Sequence, residues 1–371
     1  MKICFFNKAF VFNTETPFIQ PLGGTESALC YLAIAFHKAG HQITLLSQNS
    51  SPGVCRGVRC LDLSEGTRDF FHSQRFDVLV VSNYAAGSVH FRALLPPQTR
   101  LLLWSEHDKN QPAMQALGQR DISNAWDLIV LISDYQRTGF INHFHLQPNQ
   151  CVILRNAIGP HFESLYRDFA ELESAKRQPI LAYNSTPFRG LSLLPLIFRQ
   201  FHQAHPETRL QVYSSMKVYQ QEEPAEFEAL YQTLKQTSGI EYVGSLPQPQ
   251  LAQALKSSLI LTYPNIFAET SCIAVMEAMA AGAFILSSEY GALPETTAGF
   301  GELVPVAFTS PEKYVGKFYH ALESIYQRAL TRREEFLQNL WNQVLHINQN
   351  DTWRVRADQW VAMLARELPL K

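Results

Sequence analysis

The chain has no apolar run long enough to span a bilayer. Its longest runs, such as LLPLIF, fall far short of the roughly 20 residues a membrane helix needs, which predicts no transmembrane segment and leaves only peripheral contact with a membrane surface open. It has no cluster of Lys and Arg either. With 31 basic against 33 acidic residues and a formal net charge of −2, no basic stripe is available to neutralise a phosphate backbone, which argues against nucleic acid as a partner. The six cysteines, at positions 4, 30, 55, 60, 151 and 272, contain no CxxC pair, and several sit inside apolar strand or helix patterns where a reduced thiol is expected. His143 and His145 lack a carboxylate or third histidine at helical spacing, and Cys55 and Cys60 stand alone as a close pair, so no metal site is expected. The opening KICFF reads as a strand rather than as a charged segment leading into an apolar one, and the expectation is a cytoplasmic protein without structural disulfides.

What the chain does have is enough apolar content, 46% over 371 residues, to fill two hydrophobic cores. Short apolar strands alternate with amphipathic helical stretches, the pattern of a parallel sheet covered on both faces. KICFF, QITLLS, VRCLDL, DVLVVSN, RLLLWSE, DLIVLIS and CVILRN form a first series. After a polar stretch from Glu163 to Gln178 the pattern restarts with PILAYN, RLQVYSS, IEYVGS, SLILTYP and AFILSS. This predicts an α/β protein of two doubly wound units joined near 156–169. The divisions expected are 1–160, 161–345 and a C-terminal helix over 346–371. In that last segment Trp353, Val355, Trp360, Met363 and Leu364 suggest one apolar face that another element must cover.

The densest chemical signal is FAETSCIAVMEAMAAG, where an extended segment gives way to a helix. Thr270 and Ser271 are N-cap residue types, helix formers follow from Ile273, and the free N–H groups of a helix start attract a diphosphate. With the helix starting near Ser271, Glu277 lies about 9 Å along it, while Glu269 stays in the preceding loop. The two carboxylates can then accept hydrogen bonds from hydroxyls on opposite sides of a bound diphosphate. An isolated Glu pair would read more simply as one charge near a helix N-terminus and one solvated side chain. Other stretches weigh against that reading. Gly23 and Gly24 open a helix after a long loop and make a second anion cradle, although GGTE is not a dinucleotide fingerprint. His107 lies in SEHD at the end of a buried strand, where ligands bind in open α/β sheets. Arg189 precedes a helix start, a place where a cation is unfavourable unless an anion joins it, and it reads as a phosphate clamp.

The ordered set GGTE, His107, ISDYQRTGF, ILRNAI, FRG, YVGSLPQPQLAQAL and FAETSCIAVMEAMAAG resembles the retaining glycosyltransferases of family 4, which share the two-domain GT-B fold. The resemblance implies two Rossmann-like domains facing a central cleft, with the C-terminal helix crossing back to the first. It implies a nucleoside diphosphate sugar as donor and co-substrate, no other cofactor, and a saccharide, lipid or other hydroxyl compound as acceptor on the first domain. It implies that Glu277 binds the ribose, that Glu269 contacts the sugar, and that the backbone of Thr270, Ser271, Cys272 and Ile273 cradles the pyrophosphate. Arg189 neutralises that charge, the turn at Ser245 and Leu246 receives the base, and His107 positions the sugar. The family pattern also carries an arginine five residues before the Arg189 position, and here Asn184 stands there. Transfer with retention, without a metal and of the hexosyltransferase kind, is the reaction expected. A sugar-nucleotide epimerase using Glu106, His107 and Asp108, or a noncatalytic nucleotide-sugar binder, are the alternatives.

Overall fold

Most of the strands are unbroken apolar runs, as they must be when both faces of a parallel sheet are covered. The computed structural model describes residues 1–49 and 51–367. Its chain divides into two units, the first made of Met1–Pro17, Gly23–Ala157 and the chain from Trp353 onward, the second of Phe18–Leu22 and Ile158–Thr352.

Unit 1 contains β1 (Lys2–Val11), β2 (Gln42–Gln48), β3 (Gly53–Cys55), β4 (Val58–Asp62), β5 (Val78–Ser82), β6 (Arg100–Trp104), β7 (Leu128–Leu131) and β8 (Cys151–Ile153). Their order across the sheet is β3-β4-β2-β1-β5-β6-β7-β8, parallel throughout except for the β3–β4 hairpin at one edge. Unit 2 contains β9 (Ile180–Tyr183), β10 (Arg209–Val212), β11 (Ile240–Tyr242), β12 (Ser258–Tyr263), β13 (Phe284–Ser288) and β14 (Glu302–Val304), in the order β11-β10-β9-β12-β13-β14 and all parallel. In each sheet the first strand lies inside, with the second strand on one side and a later one on the other. The strand order therefore reverses between β1 and β5 in unit 1 and between β9 and β12 in unit 2. Loops leaving those strand ends diverge and open a crevice, the usual ligand site of doubly wound sheets. Both units are doubly wound α/β domains, as the alternation of elements predicts.

Two departures from the sequence reading have clear causes. The polar stretch 163–178 holds a helix, Phe169–Ala175, whose N-cap Asp168 accepts from the Glu171 N–H. Just after it Lys176 is fully buried, its ammonium donating to the carbonyls of Lys256, Ser258 and Ala281 at 2.7 Å each. Three carbonyls satisfy all three donors of a lysine, which is why so polar a residue sits inside. The second departure is at the end. The helix Arg333–Asn350 belongs entirely to unit 2, and only the helix Trp353–Glu367 joins unit 1.

That last helix completes the core of unit 1. Trp360 meets the Trp104 ring edge-on at 5.5 Å and the Phe36 ring at 6.3 Å, and Trp353 lies against Tyr31. Arg356 Nε donates to the Asn156 carbonyl at 2.9 Å, pinning the helix to the end of the 23–157 segment. Trp360→Ala is expected to cost unit 1 about 3–5 kcal/mol by leaving a cavity between Trp104 and Phe36, read as a lower urea midpoint for the transition followed by Trp104 fluorescence. An unchanged midpoint would mean that the helix is not part of that core.

Candidate active site

In unit 2 the two strands flanking the reversal, β9 and β12, end at Tyr183 and Tyr263. The loop after β9 carries Asn184 to Gly190, and the loop after β12 runs to Glu269. They approach so closely that a side chain at Gly190, which holds φ +99°, would place its Cβ 2.1 Å from the Pro264 carbonyl oxygen. Only glycine fits there. Arg189 and Glu269 are thereby brought together, Nε lying 3.4 Å from Oε1. The Tyr263 hydroxyl donates to the same carboxylate oxygen at 2.5 Å. The guanidinium carbon sits 5.3 Å from the Phe188 ring centroid and 5.1 Å from that of Phe267, flanked by two π systems. The Glu269 backbone is fixed from the other side, where Gly291 (φ +66°) comes within contact distance of it and Ala292 N–H donates to the Glu269 carbonyl at 2.7 Å.

Arg189 thus meets Glu269 through one of its nitrogens, while its two Nη groups have no acceptor among the described residues. An arginine carries five donors and can hold a carboxylate on one edge and an anion on another. Asn184, at the place where an arginine was expected, is buried and uses its amide to hold the Ala274 carbonyl at 3.1 Å. It supplies no charge, but it ties the β9 loop to the start of the next helix.

That helix is Ile273–Ala280, two residues later than the sequence suggests. Its N-cap is Cys272, whose side chain makes no capping bond; Thr270 and Ser271 precede the cap rather than form it. Cys272 has φ +156° and ψ +87°, a conformation rare for a residue with a side chain, and its carbonyl accepts from the N–H groups of Val275 and Met276. The N–H groups of Cys272, Ile273 and Ala274 have no acceptor among the described residues. Burial holds the Cys272 thiol in its neutral form, and the neighbouring Glu269 carboxylate acts in the same direction. It is a small neutral group at the helix start, not a nucleophile.

Further along the helix, Glu277 is buried rather than solvated. Burial raises its pKa to about 8, against hydrogen bonds from the Gly159 N–H and the Gln248 side chain. Its Oε1 is closed to solvent and has no hydrogen-bond partner, as is the Oε1 of Gln248. Gln248 begins the helix Gln248–Leu255, directly after the turn that carries Ser245 and Leu246. Leu246 packs on the unit 2 core. The sequence reading passed over Gln248 and Tyr263; a polar residue directly after the proline of a helix-opening turn, and a tyrosine at the last position of a buried strand, were the available signals.

The remaining residues singled out from sequence, Gly23, Gly24 and His107, lie in unit 1. Gly23 caps the helix Gly24–Lys38 with no side-chain bond, and its carbonyl accepts from Ser27 N–H at 3.0 Å. His107 follows β6 in a turn pinned by Gln136, whose amide donates to the Ser105 and His107 carbonyls at 3.0 and 2.8 Å. Partial burial lowers the imidazole pKa, and its Nδ1 has no partner, so the ring is neutral at pH 7 and able to bind a hydroxyl. Beside it lies a pair of acids whose interaction the sequence did not reveal. Glu26 is buried, its pKa raised to about 7, and Asn7 Nδ2 donates to it at 3.4 Å. Glu106 is raised to about 8 by burial and then by the Glu26 charge, against bonds from Asn156 and Thr25. At neutral pH the two do not both ionise.

In unit 2, then, a helix start with open N–H groups, an arginine with open Nη groups and a buried carboxyl surround the reversal of a doubly wound sheet. Residues 167–333 match the family described as Glycosyl transferases group 1. This segment is a group 1 glycosyltransferase domain. It takes in Arg189, Glu269 and Glu277 and most of unit 2, leaving out 158–166 and 334–352. A search of curated proteins finds no match to the chain. Among solved structures, a glycosyltransferase from Rickettsia africae superposes with a TM-score of 0.70 at 11% identity, covering 100% of this chain and 99% of that one. The sucrose-phosphate synthase of Thermosynechococcus elongatus gives 0.70 at 17% identity, with 99% of each chain covered. HepE of Anabaena, solved in complex with UDP-glucose, gives 0.67 at 14% identity over 99% of this chain and 100% of that one. At these identities the likeness establishes the fold, the GT-B pair of Rossmann-like domains, with the group 1 domain as its second half. Among the described residues no helix is long and apolar enough to cross a membrane.

Proposed function

We propose that the chain is a retaining glycosyltransferase that moves a sugar from a nucleoside diphosphate sugar to an acceptor hydroxyl without using a metal. The observation that carries this reading is the set of unoccupied donors in the group 1 domain: the Cys272, Ile273 and Ala274 N–H groups and the Arg189 Nη groups, all uncommitted among the described residues. Donors so arranged suit the pyrophosphate of a leaving nucleoside diphosphate, whose charge they stabilise as the bond to the sugar breaks. Thr270 and Ser271 lead the backbone into this cradle. Glu269, held by Tyr263 and Arg189, turns a fixed carboxylate toward sugar hydroxyls, Glu277 accepts from the ribose, and the turn at Ser245 and Leu246 takes the base.

The acceptor oxygen bonds to the anomeric carbon on the face that the diphosphate leaves, and the acceptor proton passes to the departing phosphate oxygen. No carboxylate base is then needed on the opposite face, in contrast with the paired acids of hydrolases. The acceptor, a saccharide, lipid or other hydroxyl compound, is assigned to unit 1, while Gly23 and Gly24 are assigned to the donor as a second anion cradle and neutral His107 to positioning the sugar. That HepE was solved with UDP-glucose supports a nucleotide-sugar donor for this chain.

The test begins with thermal shifts against UDP, GDP, ADP and their sugars, since a ligand that binds only the folded chain raises the midpoint. One nucleotide and its sugar are expected to stand out, EDTA is expected to change neither binding nor turnover, and proton NMR of the product is expected to show retained anomeric configuration. Conversion of donor alone into an epimer would establish the epimerase reading, and binding with no turnover across an acceptor panel would establish a noncatalytic binder.

A further inference from the structure

Lys8 stands where the strand order of unit 1 reverses. β1 pairs with β2 as far as Phe6 and Leu46 and resumes at Val11 and Gln48, so residues 7–10 face the single residue Ser47. A bulge of this kind turns side chains out of the sheet. Two bonds hold it: the Ala9 N–H donates to Asn7 Oδ1 at 2.8 Å, and the Gln48 amide donates to the Lys8 carbonyl at 2.8 Å. Asn7 also reaches across the reversal, its amide donating to Ser82 Oγ at the end of β5 at 3.4 Å. Lys8 spans the same gap, and its ammonium lies 3.4 Å from the centre of the Tyr84 ring, two residues beyond β5.

That ring is a fixed platform. A Cβ on Gly87 would lie 2.8 Å from Tyr84 Cδ1, so the ring rests directly on the glycine. It also stacks on Phe6 at 6.5 Å, and Phe6 meets Phe91 edge-on at 4.8 Å. A ring face attracts a cation but occupies only one side of it. Lys8 is exposed, and among the described residues its ammonium has no carboxylate or carbonyl partner. The donors turned away from the ring are therefore open to a ligand. The acids tied to the same strand ends, Glu26 through Asn7 and Glu106 through Asn83, are raised by burial to about 7 and about 8. Two full negative charges do not stand there at neutral pH, so an anion is not turned away. An exposed lysine on an aromatic ring is often surface packing alone. This one is held by a bulge, beside the crevice where doubly wound sheets take their ligands, with its charge uncommitted.

We propose that Lys8, seated on Tyr84, binds an anionic group of the acceptor, so that the hydroxyl compounds this chain glycosylates carry a phosphate or a carboxylate. The inference rests on the glycosyltransferase reading, which assigns the acceptor to unit 1, and adds the acceptor's chemical class. Lys8 acts here as a specificity-determining residue. Its ammonium is a point charge and suits either anion, where the planar fork of an arginine would favour bidentate pairing.

Calorimetry tests this in the presence of whichever of UDP, GDP and ADP stabilises the chain most, with glycerol 3-phosphate against glycerol and glucose 6-phosphate and glucuronate against glucose. The wild-type chain is expected to bind at least one anionic probe about 10-fold or more tightly than its neutral partner, the yield of one charge-assisted hydrogen bond. A preference confined to the phosphates or to glucuronate supports the proposal and names the anion. The preference is expected to shrink as NaCl rises from about 50 to about 500 mM. Lys8→Met keeps an apolar stem on Tyr84 and is expected to bring anionic and neutral probes within about 3-fold, with nucleotide and neutral probes bound as in wild type. Lys8→Arg keeps the charge and is expected to retain most of the preference. Three results overturn the proposal while the nucleotide-sugar reading stands: a wild-type chain that binds nucleotide but no anionic probe better than its neutral partner, a Lys8→Met chain that discriminates as well as wild type, or one that loses nucleotide and every probe together. Failure of the wider reading shows differently, as a wild-type chain that binds none of the nucleotides, and it removes the acceptor role of Lys8 with it.

Discussion

Replacing Arg189 by methionine is expected to lower the unfolding free energy of unit 2 by about 3–5 kcal/mol and to abolish sugar transfer, whereas adding Glu269→Gln should return most of the stability while transfer stays lost. The reasoning starts from burial. The Glu269 side chain is 6% exposed, and Arg189 is the cation beside it. Removing the arginine leaves a desolvated charge with only the Tyr263 hydroxyl and other neutral neighbours to hold it. Neutralising the carboxylate as well removes that penalty, since glutamine still accepts from Tyr263. Transfer does not return, because the Nη groups assigned to the leaving diphosphate are absent from both variants. Urea unfolding at neutral pH and a transfer assay on the same preparations separate the two effects. A single variant as stable as wild type would show that the ion pair holds nothing, and a double variant that still transfers would remove Arg189 from the mechanism.

Much of this was legible in the sequence because it follows from local patterns. Buried parallel strands must be apolar runs such as SLILTY and VLVVS, and their alternation with helices fixes a doubly wound arrangement. Arg189 and Glu269 were each visible as polar residues just beyond strand ends. What could not be read is which of them meet, since that depends on the two loops crossing at Gly190 and Pro264, a tertiary approach with no local signature. The helix start was misplaced for a related reason. Thr270 and Ser271 have the better capping chemistry, but the chain turns at Cys272, where Asn184 from a distant strand end holds the Ala274 carbonyl. Lys176 inside a charged stretch was illegible because its three acceptors come from residues 80 to 105 positions away. The coupling of Glu26 and Glu106 was hidden in the same way, joined only when the helix Gly24–Lys38 and the end of β6 meet above the sheet.

Glu277 offers the sharpest separation of stability from function. Its carboxyl titrates near 4.5 when exposed and near 8 in the folded chain, chiefly through burial. Between those values the unfolded chain has released a proton that the folded chain keeps, so each step upward in pH favours unfolding. The stabilising difference is whole below the lower value, declines through the window, and is gone above about pH 8, where folding must bury a charge. At about 1.4 kcal/mol per pKa unit the full span amounts to a few kcal/mol. Glu277→Gln cannot ionise and escapes that cost, so the variant is expected to be more stable than wild type by about 2–4 kcal/mol at pH 8 and indistinguishable from it near pH 4.5. Nucleotide affinity should move the other way, falling about 10- to 100-fold, because a glutamine offers a weaker acceptor to the ribose and can turn its amide toward the hydroxyl. Urea titrations at pH 5 and pH 8, with calorimetry of the best nucleotide at pH 8, give both quantities. A variant that loses stability at pH 8, or binds nucleotide as tightly as wild type, would mean that the buried carboxyl serves the fold and not the ligand. The opposite signs are expected because a site built to meet hydroxyls must hold an unsatisfied acid in their absence, and the free chain is less stable for it.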